Sequence, residues 1–196
     1  MAGKVLLNLS GGIDSAHTLE LLLQQGERVL VHHTRLHNWE GRMSKERQAV
    51  GYLLDRLERK GYGSQIEYEE TAFDYGTVRY VIKDVFIWGF LTALILSNPR
   101  RADVDRVAIA GHAESAFVNN PRQHQGMKDT VKSVLGREPE WIYPIRHLTK
   151  HQVVQAISQD LLELCWWCRK PRHNGEPCNR CRTCVKVNTA LKERES

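Results

Sequence analysis

The residues best suited to chemistry stand near the two ends of the 196-residue chain. Close to the first end, Ser10-Gly11-Gly12-Ile13-Asp14-Ser15 follows a run of buried type (Val5, Leu6, Leu7, Leu9) and opens an amphipathic stretch. Two glycines let the backbone turn successive N–H groups toward one point, and a helix starting near Asp14 adds its positive end. Ser10 and Ser15 add hydroxyl groups. Such a concavity seats an oxyanion, a phosphate above all. The plainer reading is a tight strand-to-helix turn capped by Ser10 or Asp14. A carboxylate beside a phosphate needs a cation between them, so Asp14 as a site residue calls for Mg²⁺, and as a cap it does not. The Gly-x4-Gly-Lys-Ser/Thr loop and the G-x-G-x-x-G fingerprint are both absent here.

Toward the other end lie all five cysteines of the chain, Cys165, Cys168, Cys178, Cys181 and Cys184. An odd, clustered set with no cleavable leader before it argues for a reduced compartment, the cytoplasm, and for metal or redox chemistry. Cys178-x2-Cys181-x2-Cys184 puts three thiols on one compact turn, and Cys168 or Cys165 supplies a fourth. Four thiolates suit tetrahedral Zn²⁺, with Zn–S near ~2.3 Å, in a closed structural shell. Basic neighbours (Arg169, Lys170, Arg180, Arg182) offset the excess negative charge. The fifth thiol keeps sulfur transfer or redox chemistry as the competing reading.

These residues need a frame. Hydrophobic periodicity predicts strands over Lys4–Leu9, Arg28–His33, Gln65–Glu70 and Arg106–Ala110, and a short fifth over Trp141–Ile145. It predicts helices over Asp14–Gln25, Ser44–Lys60 with Ser44 as cap, Thr77–Ser97, and Thr149–Ser158 capped by Thr149. Short strands alternating with long helices give an α/β fold with a parallel sheet, whose ligands gather beyond the carboxyl ends of the strands. Those ends are read as Leu9-Ser10, His33-Thr34, Thr71-Ala72 and Gly111-His112. The alternation stops after Leu164, so residues 1–164 form the α/β domain and 165–196 a metal-bound knob with a tail helix. The apolar run Val85–Leu96 is too short to span a membrane and reads as a core helix. A net charge of +5 suits anionic ligands without requiring nucleic acid.

The stretch Ser10–Ser15 resembles the SGGxDS pyrophosphate loop of the N-type ATP pyrophosphatases. Together with Trp166-Trp167-Cys168 and the Cys178, Cys181, Cys184 run, and with Tyr143-Pro144-Ile145 followed by Leu148-Thr149-Lys150, it resembles the 7-cyano-7-deazaguanine synthase family. The resemblance implies a pyrophosphate-loop domain (adenine nucleotide α-hydrolase-like) with a small C-terminal zinc knob. It selects Cys168, Cys178, Cys181 and Cys184 as the zinc ligands. It implies an ATP site over Leu9, Ser10, Gly11, Gly12, Ile13, Asp14, Ser15, Ala16, His17, Thr18 and Leu19, with Ser10, Asp14 and Ser15 nearest the chemistry. The implied reaction adenylates the carboxylate of 7-carboxy-7-deazaguanine; ammonia then displaces AMP, and a second adenylation turns the amide into a nitrile. A homodimer is implied as well.

Departures fall on the substrate side. Lys83-Asp84 stands where the family carries Arg-Asn, and lysine keeps the charge but loses the planar fork. The run from Gly111 to His124 keeps Glu114 and Pro121 but lacks the family's acids and cysteine around that proline. Within it, Glu114 is a candidate acceptor for a guanine-like edge and His112 a candidate ligand contact, against ordinary surface roles for both. Lys83, His112 and Glu114 are thus the substrate-binding candidates. Lys150 is read as a phosphate contact or a first-turn lysine, and Trp141, Trp166 and Trp167 as packing around the knob. The rivals are another adenylating enzyme of the superfamily, such as a tRNA-thiolating one, and a nucleic-acid-binding zinc protein without turnover.

Overall fold

The computed structural model describes residues 3–37, 40–78 and 84–195. Five strands form one parallel sheet: β1 (Lys4–Asn8), β2 (Val29–His37), β3 (Ile66–Asp74), β4 (Val104–Ala108) and β5 (Glu140–Ile142). Their order is β3-β2-β1-β4-β5, with Leu6 opposite Leu30 on one side and Val107 on the other. The chain therefore reverses its winding at β1, and the crevice between the ends of β1 and β4 is the switch point.

Alternation along β1 explains the layers. Val5, Leu7 and Leu9 face one helical layer and Leu6 the other, all fully buried. The first layer holds α1 (Ile13–Gln24), α2 (Met43–Leu57), α5 (Lys150–Ala156), α6 (Gln159–Leu162) and α7 (Arg182–Glu195). Leu19, Leu23, Leu53, Val153 and Val187 share one buried core there with Val5 and Leu7. The second layer is α3 (Asp84–Ser97) packed on α4 (Pro121–Leu135), through Leu96 on Leu6 and Ala93 on Met127 and Val131. Covering both faces is what a parallel sheet requires.

Several expected boundaries move. β2 and β3 run on to His37 and Asp74, so His33-Thr34 and Thr71-Ala72 lie inside strands and are not strand ends. Cross-strand polar pairs carry the extension: Arg35 with Glu70 at 3.6 Å and His37 with Asp74 at 2.7 Å. Helix α2 starts at Met43 after Arg42, so Ser44 sits inside it and caps nothing. Thr149 does cap α5, in a reciprocal box with Gln152. The expected long helix from Thr77 is a short 3₁₀ turn at Gly76–Val78, and α3 is described from Asp84 onward. Lys83 lies outside the described residues. Among the described residues no helix is long and apolar enough to cross a membrane.

His32 ties the sheet together at its ligand-facing end. It is fully buried, with Nδ1 3.1 Å from Asn8 Oδ1 of β1 and Nε2 2.9 Å from Thr71 Oγ1 of β3. Burial pulls its pKa down to about 4. Between that value and the ordinary one near 6.5 the unfolded chain binds a proton that the folded chain refuses, so stability falls as pH drops through this window. His33 and His112 shift in the same direction, also by burial. The unfolding free energy from urea titration is expected to fall between pH 7.5 and pH 5, by about 2 kcal/mol from His32 alone. His32→Gln should flatten that slope, and an unchanged slope in the variant would refute the assignment.

Candidate functional site

The glycine turn sits where β1 feeds α1. Gly11 adopts φ +76°, the left-handed region that favours glycine, and a Cβ there would lie 2.7 Å from the Glu46 carbonyl oxygen of α2. Gly12 takes the N-cap position in extended geometry with no side-chain cap. Asp14 therefore does not cap the helix.

Two serines lock the turn from inside. The Ser10 N–H donates to Ser15 Oγ at 3.1 Å, the Gly12 N–H donates to Ser10 Oγ at 3.3 Å, and Ser15 Oγ donates to the Gly12 carbonyl at 3.1 Å. The first helical bond is Ala16 N–H to the Gly12 carbonyl, at 3.0 Å. The N–H groups of Gly11, Ile13, Asp14 and Ser15 have no acceptor among the described residues. A helix N-terminus with unclaimed donors is the physical requirement for holding an anion.

Charge is arranged around this turn. Lys150, at the first position of α5 and nearly buried, places Nζ 2.7 Å from Asp14 Oδ1. The His112 Nε2 lies 4.0 Å from Asp14 Oδ2, and its Nδ1 accepts the Glu114 N–H at 3.2 Å. The proton of the neutral ring is thus on Nε2, toward Asp14. Burial keeps this imidazole below its ordinary pKa, against the pull of Asp14. The Lys150 ammonium thus stands as a cation directly beside Asp14.

The turn opens on a cavity of about 250 Å³. Ser10, Gly12, Ile13, Asp14, Ser15 and Lys150 line it on the turn side. Leu9, Ala16, His17, Thr18 and Leu19 are buried behind them and do not line it. His33 is also behind, where its Nδ1–H donates to the Leu9 carbonyl at 2.8 Å and steadies the start of the turn. Glu114 is half exposed and pairs with Lys186 of α7 at 3.1 Å, outside the cavity. Lys186 holds that carboxyl below its usual range.

Sequence reasoning did not anticipate the rest of the wall. Arg42 is buried among Glu40 at 2.6 Å, Asp84 at 2.5 Å and Glu46. Burial works against its charge, but the three carboxylates hold its proton. Arg169 reaches the same acids, 3.3 Å from Asp84 and 3.5 Å from Glu40, and so serves the cavity wall. Trp88, Trp141, Trp166 and Trp167 also line the cavity, which gives the tryptophans read as packing a second role. Helix α4 was not expected either. Its signals were present: Asn120 accepts the Gln123 N–H, Pro121 opens the helix, and Gly136 ends it at φ +73°.

The knob is joined to the turn. The Trp166 N–H donates to the Gly11 carbonyl at 2.8 Å, and Trp166 Nε1–H to the Cys168 carbonyl at 2.8 Å. The sulfurs of Cys168, Cys178, Cys181 and Cys184 all lie within 4.8 Å of one another. Backbone N–H groups point at three of them, from Cys178 to Cys168 Sγ at 3.2 Å, Cys181 to Cys178 Sγ at 3.3 Å and Cys184 to Cys181 Sγ at 3.5 Å. One tetrahedral ion at ~2.3 Å from each sulfur needs about this spacing, so the set fits a single zinc-like ion. Four thiolates on the separate irons of a cubane stand farther apart. Cys165 is not in the set. It is buried in the core, donates to the Leu161 carbonyl at 3.3 Å, and burial pushes its thiol up to about 12. An inert, protonated thiol is unsuited to sulfur transfer.

No protein-family model matches the sequence, and no curated protein matches it. Solved structures do match its fold. A U34-tRNA thiolase, NcsA, from Methanococcus maripaludis with its [4Fe-4S] cluster aligns at TM-score 0.51 and 17% identity, over 98% of this chain and 72% of that one. NMN synthetase from Francisella tularensis aligns at TM-score 0.51 and 13% identity, over 98% and 85%. A 4-thiouridine synthetase in complex with RNA and bound ATP aligns at TM-score 0.53 and 15% identity, over 98% of this chain but 52% of that one, about half its length. The chain shares their α/β fold and carries a four-cysteine cluster at its C-terminal side.

Two outcomes test the geometry. Replacing Cys181 by Ser should abolish stoichiometric zinc in elemental analysis, about one ion per chain in the parent protein, while Cys165→Ser should leave it unchanged. Gly11→Ala should cost about 2 kcal/mol or more in urea unfolding, because it meets both the left-handed φ and the Glu46 backbone.

Proposed function

We propose that the protein is an ATP-dependent ligase that adenylates a carboxylate, with 7-carboxy-7-deazaguanine and ammonia as its substrates. The observation that carries this reading is the turn itself. Four unclaimed N–H groups and the nearby Lys150 ammonium converge where β1 meets α1, beside a cavity with aromatic walls. Such an array fits a diphosphate that gains charge as it leaves the α-phosphorus. The SGGxDS sequence and the order of motifs along the chain support the finer assignment.

The residues then divide the work. The turn's N–H groups and Ser10 hold the departing diphosphate. Lys150 neutralises Asp14 and so lets a carboxylate stand beside phosphates without repelling them. His112 keeps a neutral N–H toward Asp14. The cavity walls align the acceptor oxygen with the α-phosphorus and keep water from the activated acid. Mg²⁺ arrives with the nucleotide, and zinc, held by Cys168, Cys178, Cys181 and Cys184, gives the knob its shape. A tRNA-thiolating role is less well supported, because Cys165 is protonated and buried and the other four thiols fit one closed shell.

Purified protein given Mg-ATP, 7-carboxy-7-deazaguanine and ammonium should release AMP and pyrophosphate and yield an amide or nitrile by mass. Ser10→Ala and Lys150→Ala should each lower kcat/KM by about 10²-fold, the usual loss for one donor at a developing charge. Release of ADP in place of AMP would overturn the reading.

A further inference from the structure

The Gly11–Gly12 peptide is the most easily turned unit of the site, because neither flanking residue carries a Cβ to resist rotation of its plane. Two bonds hold it. Its N–H donates to Ser10 Oγ at 3.3 Å, and its carbonyl accepts the Trp166 N–H at 2.8 Å. The Ser10 bond is long, so the Trp166 bond is the stronger hold. Rotation of the plane would carry a carbonyl to where the N–H now stands. It would break the inner bond to Ser10 and put a negative dipole into a turn that must face an anion. Trp166 is in turn fixed from both sides. Before it, the Cys165 N–H donates to the Leu162 carbonyl at 3.1 Å; after it, Trp166 Nε1–H donates to the Cys168 carbonyl at 2.8 Å. Cys168 Sγ accepts the Cys178 N–H at 3.2 Å and lies within 4.8 Å of the other three sulfurs. An ion bonded to all four sulfurs therefore fixes Cys168, and through it the residue that clamps the turn.

We infer that the four-thiol centre is coupled to the anion turn through Trp166, a positioning residue whose N–H latches the Gly11–Gly12 peptide in its anion-binding orientation. Filling the metal site thus raises the affinity of the turn for an anion, and an anion at the turn tightens the hold on the metal by the same factor. This goes beyond a metal that only shapes the knob, and its nucleotide side rests on the function proposed above. The two-state element is one peptide plane, and metal and anion favour the same orientation of it. A coupling of about tenfold lies in the ordinary range for two linked sites.

Amide hydrogen exchange followed by NMR reads the latch with no nucleotide present. Stripping zinc from the loaded protein with a zinc-selective chelator should speed exchange at the Gly12 and Trp166 amides roughly tenfold and leave Leu6 and Leu30, in the sheet, unchanged. Unchanged exchange at Gly12 overturns the inference. Faster exchange at Leu6 and Leu30 as well means general unfolding and overturns it too. In titration calorimetry Mg-ATP should bind the stripped protein about tenfold more weakly, and in chelator competition bound Mg-ATP should tighten zinc by about the same factor. Zinc affinity that ignores bound Mg-ATP overturns the inference. Trp166→Ala keeps the latching N–H and Trp166→Pro removes it, while both lose the ring. Both should hold zinc, but Trp166→Pro alone should lose Gly12 protection and about tenfold in Mg-ATP affinity relative to Trp166→Ala. Equal behaviour of the two overturns the role of the N–H, and if Trp166→Pro does not fold, the parent measurements decide. Failure of Mg-ATP to bind the zinc-loaded parent strikes the proposed function, while zinc-dependent exchange at Gly12 still upholds the latch.

Discussion

The structure depends on one turn that must hold its shape with several of its donors left over. Gly11 is held in a left-handed conformation and α2 passes too close for a side chain, and Ser10 and Ser15 satisfy one another and the turn's inner N–H groups. The outer N–H groups are fixed in direction before any ligand comes. An anion entering this site does not have to order the loop, so more of its interaction energy appears as affinity.

Charge elsewhere is organised to protect that turn. Asp14 would repel an anion, but Lys150 faces it from α5, a helix whose start is set by the Thr149 capping box. The acids of the far wall, Glu40, Glu46 and Asp84, are drawn onto Arg42 and Arg169. Positive charge is thus kept at the turn, and the acids are kept at the far wall, where Arg42 and Arg169 hold them. A cavity polarised in this way favours a ligand with its anionic end at one side and its hydrogen-bond donors at the other.

How much of this was legible in the sequence depends on whether the signal was local. Alternation along Val5–Leu9, the glycine pair, the Thr149 cap and the cysteine spacing all act over a few residues, and each appears near its expected place. The ends of β2 and β3 did not, because their extension rests on pairs such as Arg35 with Glu70 between distant segments. The cavity wall was unreadable for the same reason. Arg42, Asp84 and Arg169 meet only after α2, α3 and the knob have packed, and no spacing in the chain announces it. Helix α4 is different, since Asn120-Pro121 and Gly136 mark its ends locally. The four-thiol set was readable, and the exclusion of Cys165 from it is explained by its burial in the core just after α6.

The bond from the Trp166 N–H to the Gly11 carbonyl joins segments that are synthesised at widely separated times. The turn is made before four of the five strands, yet the residue that fastens it is made only after every described strand of the sheet. Lys150 and Arg169, which set the charge around the cavity, come equally late. A nascent chain can collapse its first strands and helices, but it has no finished pocket until the segment from Lys150 to Arg169 has been delivered and folded back. The pocket is therefore completed in one closing step.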